Sequence, residues 1–173
     1  MAVFIVSKAE IQKRYGIQVT DQFLHHMQMS AVRFNNGGTG SFVSSEGLLF
    51  TNHHVGADCI QKLSSAGTDY MKDGFNARTR SEERACPDLE VNVLAGIEDV
   101  TAKVKAAESK TSDPVEANRL RKAEMSSIEK ACTSSAGIRC DVVTLFSGAQ
   151  YHLYKYKKYT DIRLVFAPEF DIA

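Results

Sequence analysis

Apolar residues change their spacing several times along the chain, and each change predicts a change of element. Ser7 followed by Glu10 forms a capping box ahead of a helix over 8–15, with Gly16 as its stop. Thr20 is a good N-cap, and Asp21 a good first-turn charge, for a second helix over 21–32. Phe23, Leu24, Met27 and Val32 give that helix its apolar face. The run Asn35-Asn36-Gly37-Gly38-Thr39-Gly40 breaks the pattern and predicts a turn. Two short β segments follow, 41–44 and 48–51, joined by Ser45-Glu46-Gly47. After Asn52 the spacing becomes helical to residue 63, with Val55, Cys59, Ile60 and Leu63 on one side.

Residues 70–75 read as loop, and 81–84 as one helical turn closed off by Pro87. Leu89, Val91, Val93, Ala95 and Ile97 alternate and predict a strand. Helices are expected at 100–107 and 114–132, the second entered through Asp113 and Pro114. Its high charge predicts a surface arm. The last part is β-rich, at 140–146, 151–159 and 162–166, with Gly148 and Thr160-Asp161 as turns. Lysines 155, 157 and 158 alternate there with Tyr154, Tyr156 and Tyr159, as on a strand with one solvated face. The fold class expected from this pattern is mainly β with helical additions.

Composition narrows the partners. An apolar fraction of 43% suits a chain of 173 residues that buries a core. Lys plus Arg and Asp plus Glu both number 21, so the formal net charge is zero. That balance offers no electrostatic case for nucleic acid or an anionic membrane. No apolar run reaches the roughly 18–20 residues of a membrane span. The stretch 2–6 is too short for a signal peptide, which leaves a cytosolic protein or one whose signal is not part of this chain.

Four cysteines, Cys59, Cys86, Cys132 and Cys140, make no zinc-type spacing with each other or with histidine. Their even number fits two disulfides in an oxidising compartment; four buried thiols in a cytosolic protein is the alternative. Neither His25-His26 nor His53-His54 suits a metal, because adjacent helical residues diverge by about 100°. No metal and no cofactor is expected.

The segment 38–56, GTGSFVSSEGLLFTNHHVG, resembles the first barrel of trypsin-like peptidases. In that layout a general-base histidine follows a strand end, and a short helical turn aims its ring at a cleft. Aligned so, His54 is the base and His53 points elsewhere. No nucleophile-elbow string accompanies it. Ser41 and Ser147 read as structural serines, and Asp99 and Asp171 are the candidates for an orienting aspartate.

Most of the chain is also similar to one family, the bacterial dipeptidyl-peptidases seven and eleven. The similarity lies in the strings from Val32 to Ser44 and from Gly47 to Gln61. It continues in Asp69-Tyr70, Asp73-Gly74-Phe75, Val91-Asn92-Val93-Leu94, Ile97-Glu98-Asp99-Val100-Thr101 and the stretch from Tyr156 to Glu169. The resemblance implies a trypsin/chymotrypsin-like double β-barrel, of which this chain holds only the first part. Residues 1–34 would be N-terminal helices, and 35–173 the first barrel region with a helical insertion at about 100–133. It implies a serine-type peptidase of the periplasm or cell surface, a homodimer at full length, releasing dipeptides from free N-termini by a Ser-His-Asp mechanism.

The resemblance places the aspartate and serine beyond Ala173, which sets Asp99 and Asp171 aside. By that reading the isolated chain is inactive. Many family members carry cysteine where this chain has Gly38 and Val55. Both being absent here, the expected staples are Cys59–Cys86 and Cys132–Cys140. The rival functions are a non-catalytic peptide-binding module and a fragment of a trypsin-like endopeptidase.

Overall fold

The computed structural model describes residues 7–133 and 137–172; the apolar opening at 2–6 and Ala173 lie outside the described residues. Helix α1 (Lys8–Tyr15) begins where the Glu10 amide donates to Ser7 Oγ and ends at Gly16, whose φ is 69°. Helix α2 (Asp21–Ser30) opens with the Phe23 amide donating to the Thr20 hydroxyl. It stops two residues short of the predicted 32, because Val32 belongs to strand β1 (Ala31–Phe34). Val32 and Phe34 alternate inward and pack with Val55, Val91 and Val93. Burial two residues apart on a pleated strand outweighs any helical preference of a β-branched valine.

Strands β2 (Thr39–Phe42) and β3 (Leu49–Thr51) form the next hairpin, turned at Gly47 with φ of 89°. Helix α3 (His53–Leu63) follows at once. Where a loop was expected there is a one-turn helix, α4 (Tyr70–Asp73), because Asp69 accepts the amides of Met71 and Lys72. Strands β4 (Phe75–Asn76) and β5 (Arg84–Ala85) are two residues each, with a 3-10 turn at Arg80–Glu82 between them. The chain continues through β6 (Val91–Asp99), α5 (Thr101–Glu108), α6 (Pro114–Cys132), β7 (Ile138–Leu145) and β8 (Gln150–Tyr159). The strand predicted at 162–166 is split into β9 (Arg163–Leu164) and β10 (Phe166–Ala167), which take different partners.

The described residues fall into two compact units, one running to Val93 and resuming at Thr160, the other Leu94–Tyr159. In the first unit the strand order is β3-β2-β1-β6, with antiparallel pairing at each step. Strand β4 pairs with β10, and β5 with β9, also antiparallel. Helices α1, α2 and α3 all fall in this first unit.

In the second unit the order is β6-β8-β7, with β7 and β8 antiparallel from Ile138↔Lys157 to Leu145↔Gln150. Val100, Val104, Cys140, Val142, Tyr151 and Leu153 form its core. Met125, Ile128 and Cys132 of α6 pack against that core, at the spacing of one helix face. The charged helix is therefore not a surface arm but a half-covered wall of its unit.

The architecture is mixed α/β with antiparallel sheet, which corrects the expectation of a mainly β chain. Helices outweigh strands because α6 alone spans 19 residues while four strands are two residues long. The sequence pattern registered those short strands as turns or as one strand. No helix among the described residues is long and apolar enough to cross a membrane.

Asp99 ends β6, and its carboxylate accepts the Thr101 amide at 2.8 Å, at the start of α5. Hydrogen bonding from Thr101, with a smaller contribution from nearby His152, holds this carboxyl below its usual range. A lowered folded value means that the ionised group stabilises the fold above the ordinary carboxylate range. That contribution disappears as pH falls through the folded value. We therefore predict that Asp99→Asn flattens the acid side of the plot of Tm against pH. An unchanged acid slope would rule out the assignment.

Candidate active site

His54 is the second residue of α3, and its side chain is exposed. His53, the first, is half-buried, and its Nε2 is buried with no hydrogen-bond partner. The two rings diverge as neighbouring helical side chains must. Of these two, His54 offers the exposed imidazole that a peptide or a reacting hydroxyl can approach.

The local sequence explains why the helix starts here. Strand β3 ends at Thr51, whose hydroxyl donates to the Thr39 carbonyl at 2.7 Å and so fastens β3 to β2. Asn52 then holds extended backbone angles, φ −73° and ψ 147°, as the N-cap of α3. Its side chain makes no capping hydrogen bond. On the helix, Val55, Cys59 and Ile60 are buried, which fixes the face α3 presents to its unit. Cys59 is bonded to Cys86, with the two Cα atoms 5.2 Å apart.

Two glycines make room for this arrangement. A Cβ on Gly38 would lie 2.4 Å from Val55 Cγ1, so the valine side chain fills the space a side chain at 38 would need. A Cβ on Gly40 would lie 2.6 Å from the backbone oxygen of Phe50, inside the β2–β3 pairing. The turn from β1 to β2 thus rests directly on the first turn of α3. Asn36 in that turn donates from Nδ2 to the Val55 carbonyl at 2.9 Å. Sequence reading treated Asn35 to Gly40 as a plain turn; nothing in its residue pattern revealed that a side chain there grips another element.

The other residues singled out in the sequence have structural surroundings. Ser41 Oγ donates to the neighbouring Phe42 carbonyl. Ser147 sits in the tight β7–β8 turn with φ of 55°. Asp99 belongs to the second unit and serves the start of α5, and Asp171 is exposed in a short 3-10 turn at Phe170–Ile172. His25 and His26 are exposed residues of α2. Cys132 and Cys140 are bonded, with Cα atoms 6.0 Å apart, linking the end of α6 to β7. Among the described residues no three His, Cys, Asp or Glu side chains come together in a way that would hold a metal ion.

The arrangement offers one accessible imidazole on a braced helix start, able to accept and return a proton. The described residues show no hydrogen-bonded serine or carboxylate at His54.

Comparison with known proteins gives a consistent answer. An Asp/Glu-specific dipeptidyl-peptidase of Porphyromonas endodontalis is 39% identical over 144 residues, covering 80% of this chain and 20% of that protein. Dipeptidyl-peptidase 7 of Porphyromonas gingivalis is 41% identical over 141 residues, again 80% of this chain and 20% of its own length. The chain therefore spans about a fifth of the curated relatives it matches. Among solved structures, Porphyromonas endodontalis DPP11 in an alternate conformation superposes with a TM-score of 0.79 at 33% identity, over 94% of this chain and 25% of that one. The same protein in complex with the dipeptide Arg-Glu gives 0.76 at 32% identity, with the same coverage. The family profile described as Peptidase S46 matches residues 3–173, and the chain belongs to that family.

Proposed function

We propose that this chain is the histidine-bearing part of a serine-type dipeptidyl-peptidase, with His54 as the general base. The observation that carries the proposal is the exposed imidazole of His54 at the first turn of α3. It stands in a chain whose relatives are named dipeptidyl-peptidases. In the reaction, His54 takes the proton of a serine hydroxyl as that oxygen attacks the peptide carbonyl. It then protonates the departing amine. The serine and the aspartate that orients His54 come, on this reading, from sequence matching the four-fifths of the relatives that this chain does not span.

The same reading assigns the first unit to one barrel of a trypsin/chymotrypsin-like pair and the location to the periplasm or the exterior. It also makes the assembled enzyme a homodimer, which light scattering after gel filtration would check: a monomer mass would remove that element. Disulfide-bonded cysteines support the oxidising compartment.

The decisive test uses the longest protein encoded by the reading frame that contains these residues. It should release dipeptides from a peptide with a free amino terminus and leave the N-acetylated peptide intact. Cleavage of both would point to an endopeptidase. Binding without cleavage of either would point to a non-catalytic module.

A further inference from the structure

The first turn of α3 carries His54 yet lacks the usual restraint of a helix start. A capping side chain normally satisfies one of the free amides there and stops the turn from fraying. Asn52 makes no such bond. The restraint comes from another element. Asn36, in the turn between β1 and β2, donates from Nδ2 to the carbonyl of Val55, the residue that follows His54. The orientation of the Asn36 amide is fixed from its other end, where Oδ1 accepts the Gly38 amide at 3.4 Å.

The turn itself is closed by backbone hydrogen bonds. The Phe34 amide donates to the Gly38 carbonyl at 2.8 Å, and the Gly37 amide to the Phe34 carbonyl at 3.2 Å. Gly37 takes a φ of 95°, which favours glycine. On the same residue, the Val55 side chain is buried and packed into the space left open at Gly38. Val55 is therefore held twice by one turn: its side chain through Gly38 and its carbonyl through Asn36.

We propose that Asn36 is a positioning residue for His54, acting through the Val55 carbonyl; this rests on His54 being the base. Asn36 is an exposed residue that makes one part-buried hydrogen bond to Val55, so its contribution to global stability is modest. Its effect is geometric. It fixes the Val55–Gly56 peptide, one residue beyond His54, and through the first turn of α3 the direction in which the imidazole leaves the helix. Proton transfer demands hydrogen-bond reach between base and nucleophile, and a misplacement of about 1 Å costs on the order of 100-fold in rate. Aspartate is the informative replacement. It matches asparagine in shape and keeps an oxygen for the Gly38 amide, but it sets a carboxylate oxygen against the Val55 carbonyl.

The test compares Asn36→Asp, Asn36→Ala and His54→Ala in the longest protein encoded by the reading frame, with each sample normalised to folded protein. For Asn36→Asp we expect kcat to fall by about 30- to 100-fold. KM should stay within about twofold, because Asn36 touches no substrate. Tm should move by only a few degrees. Asn36→Ala should lose less than the aspartate, since it removes the donor without adding repulsion. If both Asn36 variants keep wild-type kcat while His54→Ala is dead, the positioning role is wrong. If both fail to fold, or if their kcat per folded molecule is unchanged at a much lower Tm, Asn36 is a structural residue and the role is equally refuted. Turnover retained by His54→Ala would instead overturn the reading of the base, whatever the Asn36 variants do.

Discussion

Replacing His54 with alanine is expected to reduce dipeptide release by on the order of 10⁵- to 10⁶-fold. That is the scale seen when the base of a Ser-His-Asp unit is removed. The loss is large because the serine hydroxyl is a weak nucleophile until a base takes its proton. The remaining groups supply only binding and charge stabilisation. The variant should fold normally. His54 is exposed, and the buried face of α3 is made by Val55, Cys59 and Ile60, so the substitution opens no cavity.

His53→Ala is the matched control. Its ring is half-buried, so a modest fall in Tm is expected, with turnover per folded molecule retained. Steady-state kinetics on a chromogenic dipeptidyl substrate, with circular dichroism of both variants, would decide the matter. Activity lost in His53→Ala but kept in His54→Ala would exchange their roles.

The second large effect is on stability. Replacing Cys86 with alanine, or reducing the Cys59–Cys86 bond, is expected to destabilise the protein by about 3.5 kcal/mol. This follows from the chain entropy of closing a loop of about 27 residues. The same relation gives only about 2.5 kcal/mol for Cys132–Cys140, whose separation is 8. The ordering of the two variants is therefore a prediction in itself. Cys59 lies on α3, five residues after His54, so the bond also pins the helix whose start carries the proposed base.

Loss of the bond should consequently lower both Tm and activity, whereas Cys140→Ala should lower mainly Tm. Denaturant titration of each variant gives the stabilities. Thiol titration of the unfolded, unreduced protein should find no free thiol. Four free thiols would remove the basis for both estimates.

Local chemistry made several elements readable from the sequence. Ser7 and Gly16 fix both ends of α1, and Asp113 with Pro114 fixes the entry of α6, because caps and stops act over three or four residues. The start of α3 was legible for the same reason: a strand, a small polar residue, then helical spacing of apolar side chains. That is why the position of His54 could be anticipated.

Val32 shows where such reasoning fails. Its spacing from Phe23, Leu24 and Met27 suits a helix, yet it is a strand residue whose Cα is paired with those of Gly40 and Val93. Gly40 is the partner across the next turn, but Val93 is distant in sequence, and no local rule could register that pairing. The two-residue strands β4, β5, β9 and β10 were unreadable on the same ground, since each exists only by pairing across about eighty residues or more.

By itself, then, the sequence determined the helix boundaries set by caps, the glycines at turns, the family, and the histidine at a strand-to-helix junction. These rest on interactions between residues close along the chain. The tertiary structure alone decided that charged α6 walls a core, that Val55 fills the space beside Gly38, and that Asn36 holds the Val55 carbonyl. Those depend on which distant segments come within contact distance, and contact between distant segments is set by packing the whole unit, not by any short string.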